Sequence, residues 1–433
     1  MEVNFKPTEL VKWDKKREQL LRRYIKEFLN ILEINDHGDV STSKGFLMMM
    51  YRKIIVQNIQ LTGITELDVR EGLVYKTLFH IKKNKKQDIH GFRRSLASEV
   101  KRYIERPIQD LVVLLPLHAS PINIPVIRQI KILGVKLQFS DWAYVRRNFD
   151  FSGFLQAADL YLRRQNGRID LEMRFSPVLA YVKARNAREG FDRVSPSFDL
   201  MRAILNLFSH YGRYNLQWGG YPRPIAKVLP PPVYCVFKKT GEFDLFLYNT
   251  PKLEEYDLNA IDIQDIKNLR KFARNFITSP KETESLYLVI EALQKYGQAH
   301  ETSEWRLAFL LLWQVMELIT LQSSEQLIMR NVISRVAILL NKDTKVADLL
   351  SALYETRNEL VHQGYFPDER GLEEVGLIKS IAERTISQLF SKVKLLPTKI
   401  SLQRYYDNAG ANNAELSDRQ RVIGAILRER KPT

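Results

Sequence analysis

The sequence predicts an α+β protein that is predominantly helical, with an N-terminal helical and mixed α/β region followed by a C-terminal antiparallel helical bundle. Near both ends of the chain, apolar residues recur every three or four positions, as on the buried face of an amphipathic helix. Between these regions, short apolar runs bounded by proline or glycine are typical of β-strands. The 433 residues, 45% of them hydrophobic, are enough for two or three domains.

We expect four segments along the chain. They are a basic helical region over 1–106, a mixed α/β domain over 107–280, the helical bundle over 281–396 and a basic C-terminal tail over 397–433. In the first segment the periodicity predicts helices over 8–34, 41–61 and 66–81. The last two leave a helix-turn-helix as an open alternative.

The mixed segment combines predicted strands with predicted helices. The strands are 110–116, 131–139, 233–238 and 243–248, and the helices are 177–187 and 197–211. The last two strands are rich in aromatic residues and flank a turn that contains Gly241. They therefore predict a β-hairpin.

Five helices are predicted for the bundle. They are 281–297, 303–321, 325–341, 345–363 and 372–396. The helix over 303–321 is apolar on nearly every side, so we expect it at the centre of the bundle. Short connections imply that consecutive helices run antiparallel.

The charge is distributed unevenly. Residues 281–433 contain equal numbers of acidic and basic residues, so the formal charge of +16 lies within residues 1–280. A basic region of this kind is typical of proteins that bind nucleic acid, and a solvated surface that serves solubility is the alternative. The most basic stretch gives the candidate phosphate-binding residues Lys82, Lys83, Lys85, Lys86, Arg93, Arg94, Lys101 and Arg102.

Several classes of site are not expected. The single cysteine, Cys235, excludes an intramolecular disulfide and a cage of thiolate metal ligands. The histidines lack the spacing of metal ligands, so we expect no metal and no cofactor. No secretory signal and no membrane-spanning stretch is visible, so we expect a cytoplasmic protein without a membrane partner.

The helix predicted over 345–363 carries a charged residue in its apolar stripe. The stripe runs Val346, Leu350, Leu353, Arg357, Leu360. A guanidinium at a buried position is costly unless a partner neutralises it. Glu317, which interrupts the apolar helix over 303–321, is the expected partner.

The same helix places further polar groups near its end. Asn358 and His362 lie four residues apart and share a face. His362 is in the last turn, where backbone carbonyls favour the imidazolium, and an imidazole transfers protons in both directions near neutral pH. Arg357 can bind a phosphate and stabilise its growing charge. Such groups suit cleavage of RNA by its own 2′-hydroxyl without a metal. The alternative is structural: Arg357 bonds Glu317 and His362 caps helix carbonyls.

The string LYETRNELVHQGYF, from Leu353 to Phe366, resembles the Arg-Asn-x-x-x-His-x-Gly signature of HEPN domains, particularly those of bacterial anti-phage proteins of the Apea kind. Arginine followed five residues later by histidine is a weak pattern alone, and its helical context makes it specific. The resemblance covers about 281–396. It implies a catalytic pair, Arg357 and His362, with Asn358 beside the arginine and Glu317 as a supporting acid. It also implies a homodimer with a composite site.

These expectations combine into a HEPN-type endoribonuclease that is metal-independent and acts as an anti-phage, abortive-infection toxin. The expected partners are RNA, a second copy of the chain and a phage-derived trigger or other defence subunits. The competing hypothesis is a non-catalytic HEPN-like dimerisation module with a basic, nucleic-acid-binding N-terminal region. A DNA-binding regulator that uses residues 41–83 is the third hypothesis.

Overall fold

The computed structural model describes residues 6–35, 40–64, 66–84, 88–118, 128–156, 175–210, 224–248, 267–272, 283–321, 329–341, 343–363, 368–409 and 411–429. The chain divides into two compact units. Unit 1 comprises Met1–Val113, Tyr181–Ser195 and Cys235–Phe246, and unit 2 comprises Leu114–Ala180, Pro196–Tyr234 and Leu247–Thr433. The architecture is α+β and mostly helical, as predicted. The division of the chain into the four segments expected from the sequence stays a prediction.

Unit 1 is built largely from helices around one apolar core. The helices are α1 (Pro7–Leu10), α2 (Glu18–Asn30), α3 (Gly45–Gln57), α4 (Leu67–Lys83) and α5 (Ile89–Ile104). Four two-residue strands accompany them: β1 (Val11–Lys12), β2 (Glu33–Ile34), β3 (Val40–Ser41) and β4 (Gln60–Leu61). Phe28, Leu78 and Phe92 are fully buried where the helices meet. Asp88 caps α5 by accepting a hydrogen bond from the Gly91 amide at 2.7 Å.

The prediction of one helix over 8–34 is wrong. The chain interrupts it at Val11, which pairs with Leu61 in an antiparallel β1–β4 ladder. Asp14 then starts a 3-10 turn by accepting a hydrogen bond from the Lys16 amide at 2.9 Å. Within 8–34, the apolar repeat corresponds to a long helix only in α2, where Leu21 and Phe28 lie on the buried face.

A six-stranded sheet occupies the middle of the chain. Its strands are β5 (Gln109–His118), β6 (Gln129–Ile132), β7 (Val135–Phe139), β8 (Phe175–Ala184), β9 (Val233–Lys238) and β10 (Phe243–Tyr248). Their order across the sheet is β10-β9-β5-β8-β7-β6. The strand predicted over 110–116 and the two strands of the predicted hairpin are confirmed. The short helix α6 (Trp142–Asn148) follows β7.

Two predictions in this region are wrong. The segment 131–139 contains parts of two strands joined at Leu133 and Gly134, whose φ angles of 46° and 80° form a tight turn. The helix predicted over 177–187 is strand β8 up to Ala184. β8 pairs antiparallel with β7, which places Ala180 opposite Leu137. The apolar residues that suggested a helix face are therefore buried in the sheet.

The helix predicted over 197–211 is longer than expected. Helix α7 (Ala187–His210) begins ten residues earlier and contains Pro196. Its start is fixed by Asn186, whose Oδ1 accepts a hydrogen bond from the Glu189 amide at 2.8 Å. Proline inside a helix removes one backbone hydrogen bond, so the sequence favoured a boundary at this point.

Unit 2 contains the predicted bundle. Its helices are α8 (Glu284–Glu301), α9 (Trp305–Thr320), α10 (Met329–Leu339), α11 (Thr344–Gln363) and α12 (Asp368–Lys392), followed by α13 (Lys399–Asn408) and α14 (Asn413–Glu429). Helix α9 packs against α8, α10, α11 and α12, which confirms its central place. Phe309 and Trp313 fill the core that it forms with them. Among the described residues, no helix combines the length and apolar character needed to cross a membrane.

Candidate functional site

The apolar stripe of α11 lies as the sequence predicts. Val346, Leu350, Leu353 and Leu360 are all buried. Arg357 takes the remaining position, and its side chain is 21% exposed. The stripe therefore turns a charged group toward the interior of the bundle at one point, where solvent still reaches part of it.

Arg357 faces Glu317 on the neighbouring helix α9. Its Nη2 lies 3.9 Å from Glu317 Oε1, and the glutamate side chain is 16% exposed. Arg357 Nη1 also donates a long hydrogen bond of 3.4 Å to Asn358 Oδ1. A close guanidinium–carboxylate pair has its atoms about 2.8 Å apart, so this ion pair is loose.

Glu317 is partly buried, and among the described residues one of its two carboxylate oxygens accepts no hydrogen bond. Burial raises the pKa of its carboxyl group, and the guanidinium of Arg357 opposes that rise. Oε1 is buried and accepts no hydrogen bond from the residues that the structure describes. Buried polar atoms are almost always hydrogen-bonded, and the indole of Trp313 on the same helix is a donor that lowers the pKa of Glu317 and so opposes the effect of burial.

His362 lies in the last turn of α11 and is exposed. Within the described part of the chain, its imidazole contacts no carbonyl acceptor, so the capping role that formed part of the structural alternative is not seen there. Five residues separate it from Arg357, which is about 7.5 Å along the helix axis and about 140° around it. Gly364, expected to cap this helix, lies outside the described residues.

The site that the helix assembles thus has two parts. Arg357, Asn358 and Glu317 form one cluster at the partly buried face of α11, and His362 projects from the exposed end of the same helix. In one chain the two parts point in different directions. A phosphate that touches both must lie across the helix end or between two copies of it.

Sequence reasoning missed a polar cluster in the core of the bundle. The Lys379 ammonium lies 2.6 Å from Glu383 Oε1, and both side chains are almost fully buried. Tyr296 on α8 donates a hydrogen bond to the same oxygen at 2.6 Å, and burial raises its pKa. The spacing of four between Lys379 and Glu383 was the available signal, but it is equally typical of exposed helix faces. This cluster ties α8 to α12 and is structural.

Two of the candidate phosphate-binding residues in unit 1 are engaged by the fold. Lys82 donates a hydrogen bond to the Leu29 carbonyl at 2.7 Å. The Arg93 guanidinium lies 3.5 Å from the ring centroid of Trp13, and burial lowers its pKa. Such contacts fix the side chains to the protein and reduce their freedom to follow a phosphate backbone.

The other candidates are nearer to solvent. Lys101 and Arg102 pair with glutamates on the same helix at 3.7 and 2.6 Å, contacts that are weak at a surface. Lys83 and Arg94 are exposed. Lys85 and Lys86 lie outside the described residues.

The described residues offer few other centres. Among the residues that the structure describes, no group of three or more histidine, cysteine, aspartate or glutamate side chains is placed to hold a metal ion. Cys235 is buried in β9. In comparisons with known proteins, no family model, no curated protein and no solved structure matches the chain. The HEPN resemblance therefore rests on the motif and its helical context.

Proposed function

We propose that the protein is a metal-independent endoribonuclease whose catalytic residues are Arg357 and His362. The observation that carries this proposal is the loosely held arginine: a guanidinium in an apolar stripe, 3.9 Å from the carboxylate that faces it. A purely structural arginine would be expected to bond its carboxylate closely. Arg357 instead keeps donors available for a phosphate.

The reaction follows from the chemistry of these groups. The RNA 2′-oxygen attacks the adjacent phosphorus, and the bond from phosphorus to the 5′-oxygen of the next nucleotide breaks. The imidazole of His362 takes the proton of the 2′-hydroxyl and then delivers that proton to the leaving 5′-oxygen, so that the imidazole ends in its starting state. Arg357 stabilises the negative charge on the phosphorane oxygens. The products are a 2′,3′-cyclic phosphate and a 5′-hydroxyl.

Two copies of the chain would complete the site. Because Arg357 and His362 point about 140° apart on one helix, pairing of two α11 helices brings the arginine of each copy towards the histidine of the other. Val361, an apolar residue beside His362, is 49% exposed and suits such a contact. A Val361→Asp variant that stays monomeric in light scattering and loses cleavage would support the composite site.

The biological setting that we propose is anti-phage defence in the cytoplasm, with RNA as the substrate and a phage-derived trigger or other defence subunits as regulators. This setting rests on the resemblance of residues 353–366 to HEPN proteins of the Apea kind. The basic N-terminal region would hold the RNA or sense the trigger.

A non-catalytic dimerisation module is the second candidate, and it is favoured by the fact that Arg357 already has a carboxylate within 4 Å. The two candidates separate in an RNA cleavage assay with Arg357→Ala and His362→Ala. Arg384→Ala is the matched control, because Arg384 is also paired with a carboxylate in unit 2, at 3.7 Å from Asp343. Cleavage that survives both motif variants removes the nuclease proposal.

A further inference from the structure

A cleft of about 430 Å³ lies within unit 1. Its walls come from α4, the end of α5, the start of α7 and strand β10. This volume lies within the range of sites that hold small molecules. Val69, Leu73 and Leu245 give the cleft an apolar side.

Charged groups of two kinds line the cleft. Some are engaged by the fold: Lys76 lies 2.7 Å from Glu99, and Arg188 pairs with Asp68. Others are not. Within the described part of the chain, Arg106 makes no ion pair, and its guanidinium lies 5.5 Å from the ring centroid of Tyr103. Asp244 also lines the cleft; it accepts no hydrogen bond from the described residues, and its charge acts on Lys238 of the neighbouring strand β9.

A buried hydrogen-bond network lies behind Arg106. The Tyr103 hydroxyl donates a hydrogen bond to Glu189 Oε2 at 2.6 Å, and both residues are buried. Arg185 Nη1 donates a further hydrogen bond to Glu189 Oε1 at 3.0 Å. A satisfied buried network of this kind holds the surface above it in one arrangement, which reduces the entropic cost of binding.

Gly72 leaves the cleft open. It lies within α4 and lines the cleft, and a Cβ atom built on it meets no atom within 4 Å. Glycine weakens a helix interior by about 1 kcal/mol relative to alanine. A side chain at position 72 would therefore fit the helix backbone and extend into the open space of the cleft.

We infer that this cleft binds a nucleotide of the size of a nucleoside monophosphate. The phosphate lies on Arg106 with Lys76 nearby, the ribose hydroxyls donate to the Asp244 carboxylate, and the base contacts the apolar side formed by Val69, Leu73 and Leu245. The site lies within unit 1, apart from Arg357 and His362. The inference does not depend on the proposed ribonuclease function.

The test is isothermal titration of the full chain at low salt with the four ribonucleoside monophosphates, and with inorganic phosphate, ribose 5-phosphate and adenosine as partial ligands. We expect at least one monophosphate to bind about tenfold more tightly than any partial ligand, since each partial ligand lacks at least one of the three contacts. Equal binding of inorganic phosphate would overturn the nucleotide assignment in favour of a bare anion site. No heat change with any monophosphate at millimolar concentration would overturn the site itself.

Substitutions in the cleft test where the ligand binds. Gly72→Trp fills the cleft and Arg106→Gln removes its unpaired cation, so each should weaken binding about tenfold or more. Gly45→Trp is the control for the first, because a Cβ at Gly45 also meets no atom within 4 Å. Arg23→Gln is the control for the second, because the Arg23 guanidinium also lies over a tyrosine ring, 4.7 Å from the centroid of Tyr24, and Arg23 does not line the cleft. Both controls should bind as the unmodified protein does. Binding that survives Gly72→Trp, or an RNA oligonucleotide that binds through the cleft when monophosphates do not, would contradict the inference.

Discussion

Two arginines in unit 2 occupy buried faces of helices, and they are held very differently. Arg202 on α7 has a side chain only 4% exposed; its Nη1 bonds Glu301, and its Nη2 donates to Asp199 at 2.7 Å. Arg357 on α11 is 21% exposed and lies 3.9 Å from its one carboxylate. Two carboxylates bind the two Nη atoms of the Arg202 guanidinium closely, whereas the carboxylate that faces Arg357 lies 3.9 Å away. Two arginines on buried helix faces therefore differ in how closely their carboxylates hold them, and this difference predicts different effects when each arginine is replaced.

The largest effect on stability is expected at Arg202, which two carboxylates hold closely. Arg202→Ala leaves Glu301 inside the unit without its cation, and we expect a loss of about 3 to 5 kcal/mol in the free energy of unfolding. Chemical denaturation followed by circular dichroism measures this loss. A change below about 1 kcal/mol would show that the pair is not the structural anchor described here.

Removal of Arg357 should affect stability less and activity more. Because its ion pair is loose and partly exposed, Arg357→Ala should cost about 1 to 2 kcal/mol, while RNA cleavage falls by about a hundredfold or more. The same denaturation series and a gel-based cleavage assay give both numbers. A stability loss as large as that of Arg202→Ala, with cleavage unchanged, would make Arg357 a structural residue too.

The ionisation of Glu317 makes the contribution of the Arg357–Glu317 pair to stability depend on pH. Burial raises the pKa of its carboxyl group above the ordinary value, so the folded protein binds a proton here more readily than the unfolded chain does. This group therefore favours the folded state at low pH, and its contribution becomes less favourable as pH rises through the raised pKa. Unfolding free energies of the unmodified protein and of Glu317→Gln, measured from pH 4 to pH 8, test this sign.

The free energy of unfolding of the unmodified protein, minus that of Glu317→Gln, should increase as pH falls. Glu301→Gln serves as the comparison at the other arginine, because burial also raises the pKa of Glu301 against the opposing effect of Arg202. A difference for Glu317→Gln that is flat, or that moves in the opposite direction, would mean that its pKa is not raised.

The smallest effect on stability is expected at His362. Its side chain is exposed at the end of α11, so His362→Ala should change the free energy of unfolding by less than about 0.5 kcal/mol. Cleavage should nevertheless fall about a hundredfold, because proton transfer is lost. His80→Ala, a change at another exposed histidine, is the control for the substitution itself.

The C-terminal bundle could be predicted closely from the sequence because its signal is local. Four apolar residues of α11 and the pairing of Arg357 with Glu317 follow from a repeat of three and four residues. The interruption of the first helix at Val11 and the strand at 175–184 could not be predicted in the same way. Both depend on pairing with distant segments, through Leu61 and through β7, and the residues involved fit either structure.

The candidate site could be predicted only in part. The expected pairing of Arg357 with Glu317 is present, whereas His362 lies apart from them at the exposed end of α11. How tightly Glu317 holds Arg357 depends on the packing of α9 against α11, which no spacing in the sequence encodes. The cleft beside Gly72 is further from prediction, because it forms where three helices and a strand from distant parts of unit 1 meet.

The most direct test of the nuclease proposal uses a DNA oligonucleotide that contains a single ribonucleotide, incubated with the purified protein in EDTA. We expect one cut, after the ribonucleotide, with mass spectrometry showing a 2′,3′-cyclic phosphate on one fragment and a 5′-hydroxyl on the other, and no cut with Arg357→Ala or His362→Ala. Cleavage of the all-DNA control, or the same cut by both variants, would contradict the role proposed for these two residues.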